Sequence, residues 1–288
     1  MEAARFWHPL ESGAVRCELC PHRCTITEAH AGRCGSRVNR AGKLYSAVYG
    51  YPCATAIDPV EKKPLLHFMP GTTCLSLSCV GCNLSCRWCQ NWEISQARPG
   101  CAEQERWTPE EVVSAALHYH CPSIAYTYTE PLTYIEYISD IAALAKENGL
   151  RNILVSAGYV NPEPMAGLAP LLDAANIDLK AFSDDVYKRY CGGRLQPVLD
   201  TLLLLHRAGV HLEITNLVVP GVNDDAGMIR GMCRWLSDNG LGDCPLHFSR
   251  FFPRYQFTAC RPTPVKTLQE AAAIASAEGI STVHLGNV

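Results

Sequence analysis

The 288-residue sequence lacks the long apolar runs that are typical of membrane proteins and of secreted precursors. No stretch approaches the roughly 20 apolar residues that a helix needs to span a bilayer. The first 16 residues contain no continuous apolar segment of the kind found in signal peptides. We therefore expect a cytoplasmic protein that has no membrane partner.

A surplus of charge of one sign is also missing. The chain has 25 Lys and Arg against 28 Asp and Glu, a net charge of −3, and no stripe rich in Lys or Arg. The electrostatic footprint of a nucleic-acid binder is therefore absent. Lys62-Lys63 is an isolated pair that we expect to be solvated. Glycine-rich fingerprints of flavin or nicotinamide sites are missing too, so a redox reaction would need an external electron carrier.

Cysteine, in contrast, is abundant, with 16 residues. In a reducing compartment so many cysteines indicate metal ligands and not disulfides. Seven of them fall into two local groups, and the other nine are scattered. Burial as a small apolar side chain is the usual role of a scattered cysteine. The scattered residues are Cys53, Cys74, Cys79, Cys101, Cys121, Cys191, Cys233, Cys244 and Cys260.

One group consists of Cys82, Cys86 and Cys89, whose Cys-x3-Cys-x2-Cys spacing suits three corners of one [4Fe–4S] cubane. Electron-carrier clusters normally have four thiolates, so three ligands indicate an iron that is reserved for a substrate or cofactor. S-adenosylmethionine fits this iron because its amino and carboxylate groups can chelate it. One electron from the cluster would then break a carbon–sulfur bond and release a 5′-deoxyadenosyl radical. The alternatives are a zinc site, although structural zinc usually takes two separated ligand pairs, and buried thiols that happen to lie close together.

The other group consists of Cys17, Cys20, Cys24 and Cys34. A Cys-x2-Cys pair followed by two further ligands suits a tetrahedral zinc site, and a segment of roughly 50 residues does not easily fold on a core alone. A second iron–sulfur cluster would use the same four thiolates, and unmetallated thiols are the third alternative. We assign residues 1–70 to a small Cys-rich N-terminal unit that binds metal, and residues 71–288 to a barrel.

From residue 72 onward, apolar β-branched runs alternate with helical patterns, which is typical of βα units and a parallel sheet. Six or seven units are too few for a closed eight-stranded barrel, so we predict an α/β fold with a partial, laterally open (β/α)6-type TIM barrel. A helix over Pro109–His120 should be capped by Thr108 and Glu111. The predicted strands are Thr72–Ser78, Ile124–Thr129, Asn152–Ser156, Ala175–Leu179, His211–Val219, Leu246–Phe251 and Thr282–Leu285.

Polar residues follow the predicted strands at the points where each strand ends. The cysteine loop follows the first strand, Thr129 and Glu130 follow the second, and Ser156 follows the third. Asp178 and Lys180 close the fourth strand. Because the chemistry of such barrels lies at the carboxyl ends of the strands, we expect these residues to share one site.

Seven motifs lie along nearly the whole chain, namely Cys17–Cys24, Asp58–Leu65, Gly81–Cys86, Cys89–Trp92, Tyr126–Pro131, Asn176–Lys180 and Val219–Asp224. Together they resemble the radical S-adenosylmethionine (SAM) superfamily. The resemblance is to the branch of pyruvate formate-lyase activating enzyme, and more closely to the radical SAM enzymes of the AmmeMemoRadiSam system.

The resemblance implies which residues bind SAM. Thr129 and Glu130 would bind its amino group, and Asp178 and Lys180 would handle its carboxylate directly or through a monovalent cation. The alternatives are a turn residue at Glu130 and an exposed ion pair between Asp178 and Lys180. The loop at Ser156 keeps a hydroxyl but lacks the amide that activating enzymes have there.

The leading interpretation is a radical SAM oxidoreductase that cleaves SAM reductively and abstracts hydrogen from an unidentified, small-molecule substrate. No catalytic side chain is assigned beyond the cluster ligands. Flavodoxin or ferredoxin would supply the electron, and Memo-like and AMMECR-like proteins would belong to the same pathway. The alternatives are a glycyl-radical-enzyme activase that acts on a protein, and a non-catalytic iron–sulfur or zinc electron carrier. An electron carrier would not need polar residues at the ends of several strands, so the predicted site argues against this alternative.

Overall fold

The computed structural model describes residues 1–100 and 105–288, so Cys101 lies outside the described residues. The strands are β1 Glu2–Ala3, β2 Trp7–Pro9, β3 Val15–Cys17, β4 Thr25–Ile26, β5 Arg37–Arg40, β6 Lys43–Ser46, β7 Ala54–Pro59, β8 Thr73–Ser78, β9 Ser123–Tyr126, β10 Arg151–Ser156, β11 Ala174–Asp178, β12 His211–Val218, β13 Leu246–Arg250 and β14 Val283–Gly286. The α-helices are α1 Trp92–Ser95, α2 Pro109–His118, α3 Ile135–Glu147, α4 Pro162–Leu168, α5 Asp184–Val186, α6 Gln196–Arg207, α7 Ala226–Asp238 and α8 Val265–Ala277. Short 3-10 helices lie at Glu11–Gly13, Val60–Lys62, Pro131–Tyr134 and Ala169–Leu171, and a π-helical turn spans Tyr187–Cys191.

An eight-stranded sheet in the order β14-β13-β12-β11-β10-β9-β8-β7 forms the main body of the protein. Strands β8 to β14 are parallel to one another, and β7 runs antiparallel to β8. Helices follow each strand from β8 to β13, which gives six βα units and a seventh parallel strand. Within the described residues the terminal strands β7 and β14 are not paired with each other. The predicted α/β fold, a partial and laterally open barrel, is confirmed.

All seven predicted strands are present, and their ends differ from the prediction by at most three residues. The largest difference is at β9, which ends at Tyr126, whereas the prediction extended it to Thr129. Tyr128 has a φ of 66°, which an extended strand cannot accommodate. The predicted cap of α2 is confirmed, since Glu111 N–H donates to the Thr108 hydroxyl at 3.3 Å and Thr108 N–H donates to the Glu111 carboxylate at 2.7 Å.

The segment 60–68 fills the interior of the barrel near the amino-terminal ends of its strands. Its apolar residues form a buried cluster with inward-facing strand residues, namely Val60, Leu65, Cys74, Ala125, Ile153 and Ala174, and the partly buried Phe68 and Val155 pack against this cluster. The Asn176 side-chain amide donates to the Pro64 carbonyl at 2.8 Å, which ties this plug to β11. Both the edge strand β7 and this plug belong to the barrel, yet they lie inside the range 1–70 that the sequence assigns to the N-terminal unit. The division at residue 70 stays a prediction.

Glu213 holds the plug through a buried polar cluster. Its carboxylate accepts hydrogen bonds from the backbone N–H groups of Leu66 and His67 at 3.1 and 2.8 Å, and lies 3.1 and 2.6 Å from ring nitrogens of His211 and His247. Burial alone would raise the pKa of Glu213, but these hydrogen bonds outweigh it and hold the pKa well below its usual range. The negative charge of Glu213 therefore stabilises the fold.

We expect Glu213→Gln to lower the free energy of unfolding at pH 7 by about 1–2 kcal/mol, since the hydrogen bonds to a charged acceptor weaken. The pKa of Glu213 is lower in the folded protein than its value of about 4.3 in the unfolded chain. Its contribution to stability is therefore complete above about pH 4.3 and is lost as the pH falls toward the folded-state pKa. Urea unfolding at pH 7 and pH 4 measures both effects. The stability difference between wild type and variant should shrink at pH 4, and an unchanged difference would contradict this account.

The N-terminal residues form two small antiparallel sheets, β1-β6-β5 and β2-β3-β4. A buried ion pair joins them to the barrel, because Arg37 in β5 lies 2.8 Å from Glu136 in α3 and their side chains are only 1% and 2% exposed. Among the described residues, no helix combines the length and the apolar character needed to cross a bilayer.

Candidate active site at the carboxyl ends of the strands

Cys82, Cys86 and Cys89 lie in the loop that leaves the carboxyl end of β8, and all three are partly exposed. The backbone N–H of Leu84 donates to Cys82 Sγ at 3.3 Å. The Ser95 hydroxyl lies 3.3 Å from Cys89 Sγ. Hydrogen-bond donors near the sulfurs are typical of iron–sulfur sites, where they stabilise the thiolates.

Backbone hydrogen bonds fix this cluster loop to the turn that follows β11. Ser85 N–H donates to the Cys191 carbonyl at 2.8 Å, and Arg87 N–H donates to the Tyr190 carbonyl at 3.0 Å. Gly81 precedes the first cysteine with a φ of 103°, a conformation that favours glycine. The loop is thus held in one conformation by contacts with a distant part of the chain.

Asp178 and Lys180 form an ion pair of 2.6 Å at the end of β11. Their side chains are only 32% and 17% exposed, so the alternative of an exposed ion pair does not describe them. Burial would lower the pKa of Lys180, but the charges of Asp178 and of the nearby Cys86 outweigh it and raise the pKa. The ammonium group of Lys180 therefore carries a positive charge beside the cluster loop.

Glu130 is buried and connects the loops after β9 and β10. Its carboxylate accepts hydrogen bonds from the Ser156 hydroxyl at 2.6 Å, from Ala157 N–H at 2.9 Å and from Leu132 N–H at 3.2 Å. Burial raises the pKa of Glu130. The Thr129 hydroxyl donates to the Cys79 carbonyl at 2.7 Å. The structure brings Thr129, Glu130 and Ser156 together, and their binding of SAM stays a prediction.

Cys191 is a site residue that the sequence analysis left among the scattered cysteines. It is fully buried at the end of the π-helical turn Tyr187–Cys191. A hydrogen bond with Cys191 lowers the pKa of Cys86 and raises that of Cys191 itself. No local spacing links these two cysteines, which are 105 positions apart in the sequence. Only the contact between the turn and the cluster loop brings them together.

The radical SAM superfamily model matches residues 77–230, which is more than half of the chain and includes both the cluster loop and Lys180. The chain belongs to the radical SAM superfamily. Members of this superfamily are enzymes that bind a [4Fe–4S] cluster and SAM. The residues of this site fit both groups, because Cys82, Cys86 and Cys89 offer three thiols in one loop and Lys180 offers a positive charge for a carboxylate.

Relatives support this membership. An uncharacterized protein of Methanocaldococcus jannaschii is 44% identical over 288 residues, which are 100% of this chain and 86% of that protein. Pyruvate formate-lyase-activating enzyme of Clostridium pasteurianum is 27% identical over 158 residues, which are 52% of this chain and 63% of that enzyme. SuiB of Streptococcus suis bound to precursor peptide SuiA has a TM-score of 0.57 at 12% identity, over 79% of this chain and 51% of that one, which shows the fold alone. The predicted homology to the activating enzyme is confirmed.

The interior of the radical SAM barrel contains a polar group that the sequence analysis missed. Lys63 and Asp58 are buried, with Lys63 Nζ 2.7 Å from the Asp58 carboxylate, so the expectation that Lys63 is solvated is wrong. The hydroxyls of Tyr128 and Ser76 donate to the same carboxylate. Burial would raise the pKa of Asp58, but the hydrogen bonds from Lys63 and Tyr128 outweigh it and keep the pKa well below its usual range.

The N-terminal cysteines Cys17, Cys20, Cys24 and Cys34 come together around one cavity, outside the part of the chain that the superfamily model matches. Across residues 1–100 and 105–288, no three His, Cys, Asp or Glu side chains are placed to hold a single metal ion. Neither the group of Cys82, Cys86 and Cys89 nor the group of four N-terminal cysteines is therefore placed to hold a single ion. A cubane differs from a single ion, because each of its thiolates binds a separate iron.

Proposed function

We propose that this radical SAM protein cleaves SAM reductively and abstracts a hydrogen atom from a small polar molecule that binds inside the barrel. A bound [4Fe–4S] cluster would supply the electron that breaks a carbon–sulfur bond of SAM, and this cleavage would give the adenosyl group that takes hydrogen from the substrate. The observation that carries this proposal is the joint placement of the three-cysteine loop and the Asp178–Lys180 pair at the carboxyl ends of β8 and β11.

The residues at the strand ends have separate tasks in this proposal. Cys82, Cys86 and Cys89 hold the cluster. Lys180 binds the carboxylate of SAM, and Asp178 orients the Lys180 ammonium group from 2.6 Å. Because this ammonium already provides a positive charge, the proposal needs no monovalent cation. Thr129 and Glu130 bind the amino group of SAM, and Glu130 also fixes the loop at Ser156 through the three hydrogen bonds that its carboxylate accepts.

The polar interior of the barrel supports a small polar substrate. Asn176 touches the plug, and Asp178 lies two residues along the same face of β11. Thr215 shares its face of β12 with Glu213, which also contacts the plug. The Asn176 Oδ1 and Thr215 Oγ1 atoms are buried and have no hydrogen-bond partner among the described residues. Buried polar atoms of this kind usually have a partner, which a polar ligand or water would supply here.

We propose further that the protein belongs to the AmmeMemoRadiSam branch. The motifs Asp58–Leu65 and Tyr126–Pro131 support this, and residues of both motifs meet at the Asp58 carboxylate. The proposal includes flavodoxin or ferredoxin as the source of the electron. Memo-like and AMMECR-like proteins would act in the same pathway.

A glycyl-radical activase is the second candidate function. The similarity to the activating enzyme of Clostridium pasteurianum favours it, and the open side of the sheet between β14 and β7 would admit a protein loop. The substrate of an activase is a macromolecule, whereas the interior site described above suits a small molecule. The size of the hydrogen donor therefore distinguishes the two candidates.

The test uses a deuterated cell extract that has been separated into low-molecular-weight and macromolecular fractions. Reduced protein, SAM and each fraction are combined without oxygen, and deuterium in 5′-deoxyadenosine is measured by mass spectrometry. We expect label from the small-molecule fraction, together with faster formation of 5′-deoxyadenosine, because a bound substrate excludes water from the site. Cys82→Ala is the control that should give no labelled product. Label from the macromolecular fraction alone would overturn the small-molecule proposal and favour the activase.

A further inference from the structure

The four N-terminal cysteines surround one cavity that the proposed radical chemistry does not use. Cys17 ends β3, Cys20 and Cys24 lie in the turn between β3 and β4, and Cys34 precedes β5. All four line one cavity. Cys17 is buried and the other three are partly exposed. Four thiols from one short segment therefore surround one cavity close to the protein surface.

A backbone N–H group points at one of these sulfurs. Arg33 N–H donates to Cys24 Sγ at 3.5 Å. Such N–H to sulfur hydrogen bonds stabilise thiolates, and in iron–sulfur sites they tune the cluster.

Arg37 provides a second and independent observation. Its guanidinium group lines the cavity and is 1% exposed, yet its Nε has no hydrogen-bond partner within the described part of the chain. The two terminal nitrogens are bound to Glu136 and to the Arg5 carbonyl. A buried N–H without an acceptor is costly. The free N–H and the positive charge of Arg37 suit an anionic group in the cavity.

The placement of the cysteines bears on the choice between an iron–sulfur cluster and zinc. Zinc binds sulfur at about 2.3 Å, so four thiolates around one zinc ion must converge on a single point. Among the described His, Cys, Asp and Glu side chains, no three are placed to hold a single metal ion. A [4Fe–4S] cubane places each thiolate on a separate iron, so its four sulfurs need not meet at one point. Four cysteines around one cavity suit a cubane, and the metal content of the purified protein decides between it and zinc.

The cavity also lies directly beside the catalytic cluster loop. Asn83, which follows Cys82, lines it, and the Asn83 carbonyl accepts a hydrogen bond from His22 Nε2 at 2.8 Å. On the other side of Cys82, a Cβ atom at Gly81 would collide with the Cys34 carbonyl oxygen. The residues on both sides of Cys82 therefore contact the four-cysteine segment.

From these observations we propose that Cys17, Cys20, Cys24 and Cys34 hold a second [4Fe–4S] cluster, which lies next to the catalytic cluster. Its four thiolates complete its coordination, so it does not bind SAM. Arg37 donates its free N–H to this cluster and offsets part of its negative charge. The proposal is independent of the substrate, and it concerns residues that the superfamily model does not match.

The first test is the iron content of the triple variant Cys82→Ala/Cys86→Ala/Cys89→Ala, purified and reconstituted without oxygen. We expect about four iron and four sulfide per chain in this variant and about eight of each in the wild type. Adding Cys20→Ala and Cys24→Ala should remove the remaining iron, whereas adding Cys260→Ala, the matched control, should leave it. One zinc per chain, or no iron in the triple variant, would overturn the proposal. This result does not depend on SAM cleavage, so it is separate from the proposed function.

The second test concerns the distance between the two clusters. Electron paramagnetic resonance of the reduced wild type should show lines that are broadened by interaction between the two spins. The triple variant should give a narrow spectrum of one cluster that does not change when SAM is added. A wild-type spectrum equal to the simple sum of two independent clusters would overturn their placement side by side.

Discussion

Replacing Cys82, Cys86 or Cys89 by Ala is expected to reduce 5′-deoxyadenosine formation to the limit of detection. Each thiolate binds a separate iron of the catalytic cluster, so the loss of any one removes the group that supplies the electron. The iron–sulfur absorbance near 400 nm should fall to about half, since the second proposed cluster remains. Anaerobic reconstitution followed by spectroscopy and product analysis measures both quantities.

The matched control for these variants is Cys260→Ala. Cys260 is also partly exposed, but its sulfur donates to the carbonyl groups of Pro220 and Arg261. This variant should keep the full absorbance and activity. Product formation at the wild-type rate in any of the three cluster variants would remove these cysteines from the catalytic site.

The second large effect is expected in the binding of SAM. Lys180→Ala and Asp178→Ala should keep the catalytic cluster but weaken SAM binding by roughly ten- to hundredfold, which corresponds to a loss of about 1.5–3 kcal/mol for a charged hydrogen-bond partner. Lys180→Ala would remove the contact with the carboxylate of SAM, and Asp178→Ala would leave the Lys180 ammonium without its orienting partner. Equilibrium binding of SAM to the reconstituted protein measures the effect.

Lys188→Ala is the matched control for Lys180. Lys188 also forms an ion pair of 2.7 Å, with Asp184, but both side chains are more than 40% exposed. An exposed pair of this kind contributes little, so Lys188→Ala should bind SAM like the wild type. If Lys180→Ala and Asp178→Ala also bind SAM normally, the pair at the end of β11 has only a structural role.

The parts of the site that are encoded locally could be predicted from the sequence. The Cys-x3-Cys-x2-Cys spacing lies within eight residues, and the alternation of apolar strands and helices repeats along the chain. Because parallel strands place their carboxyl ends at one edge, the position of the Asp178–Lys180 pair near the cluster loop followed from the strand order. These predictions needed no knowledge of contacts between distant residues.

The features that were missed depend on contacts between distant residues. Strand β7 pairs with β8 as an antiparallel edge, and it lies within residues 17–70, a range that is rich in Cys, Gly and Pro and short of helical periodicity. Lys63 is buried because the plug enters the barrel and meets Asp58 and Tyr128, whereas its neighbour Lys62 is exposed. Cys191 joins the site only because the π-helical turn packs on the cluster loop. The spacing of residues along the sequence does not predict such contacts.

The measurement that tests the central claim most directly is product analysis of the wild-type protein after reconstitution with iron and sulfide. The protein is incubated without oxygen with SAM and a one-electron reductant, and the products are separated by liquid chromatography. We predict 5′-deoxyadenosine and methionine in equal amounts, formed only when both the reductant and the cluster are present. Reconstituted protein that carries the Cys82, Cys86 and Cys89 cluster but leaves SAM intact would contradict the account.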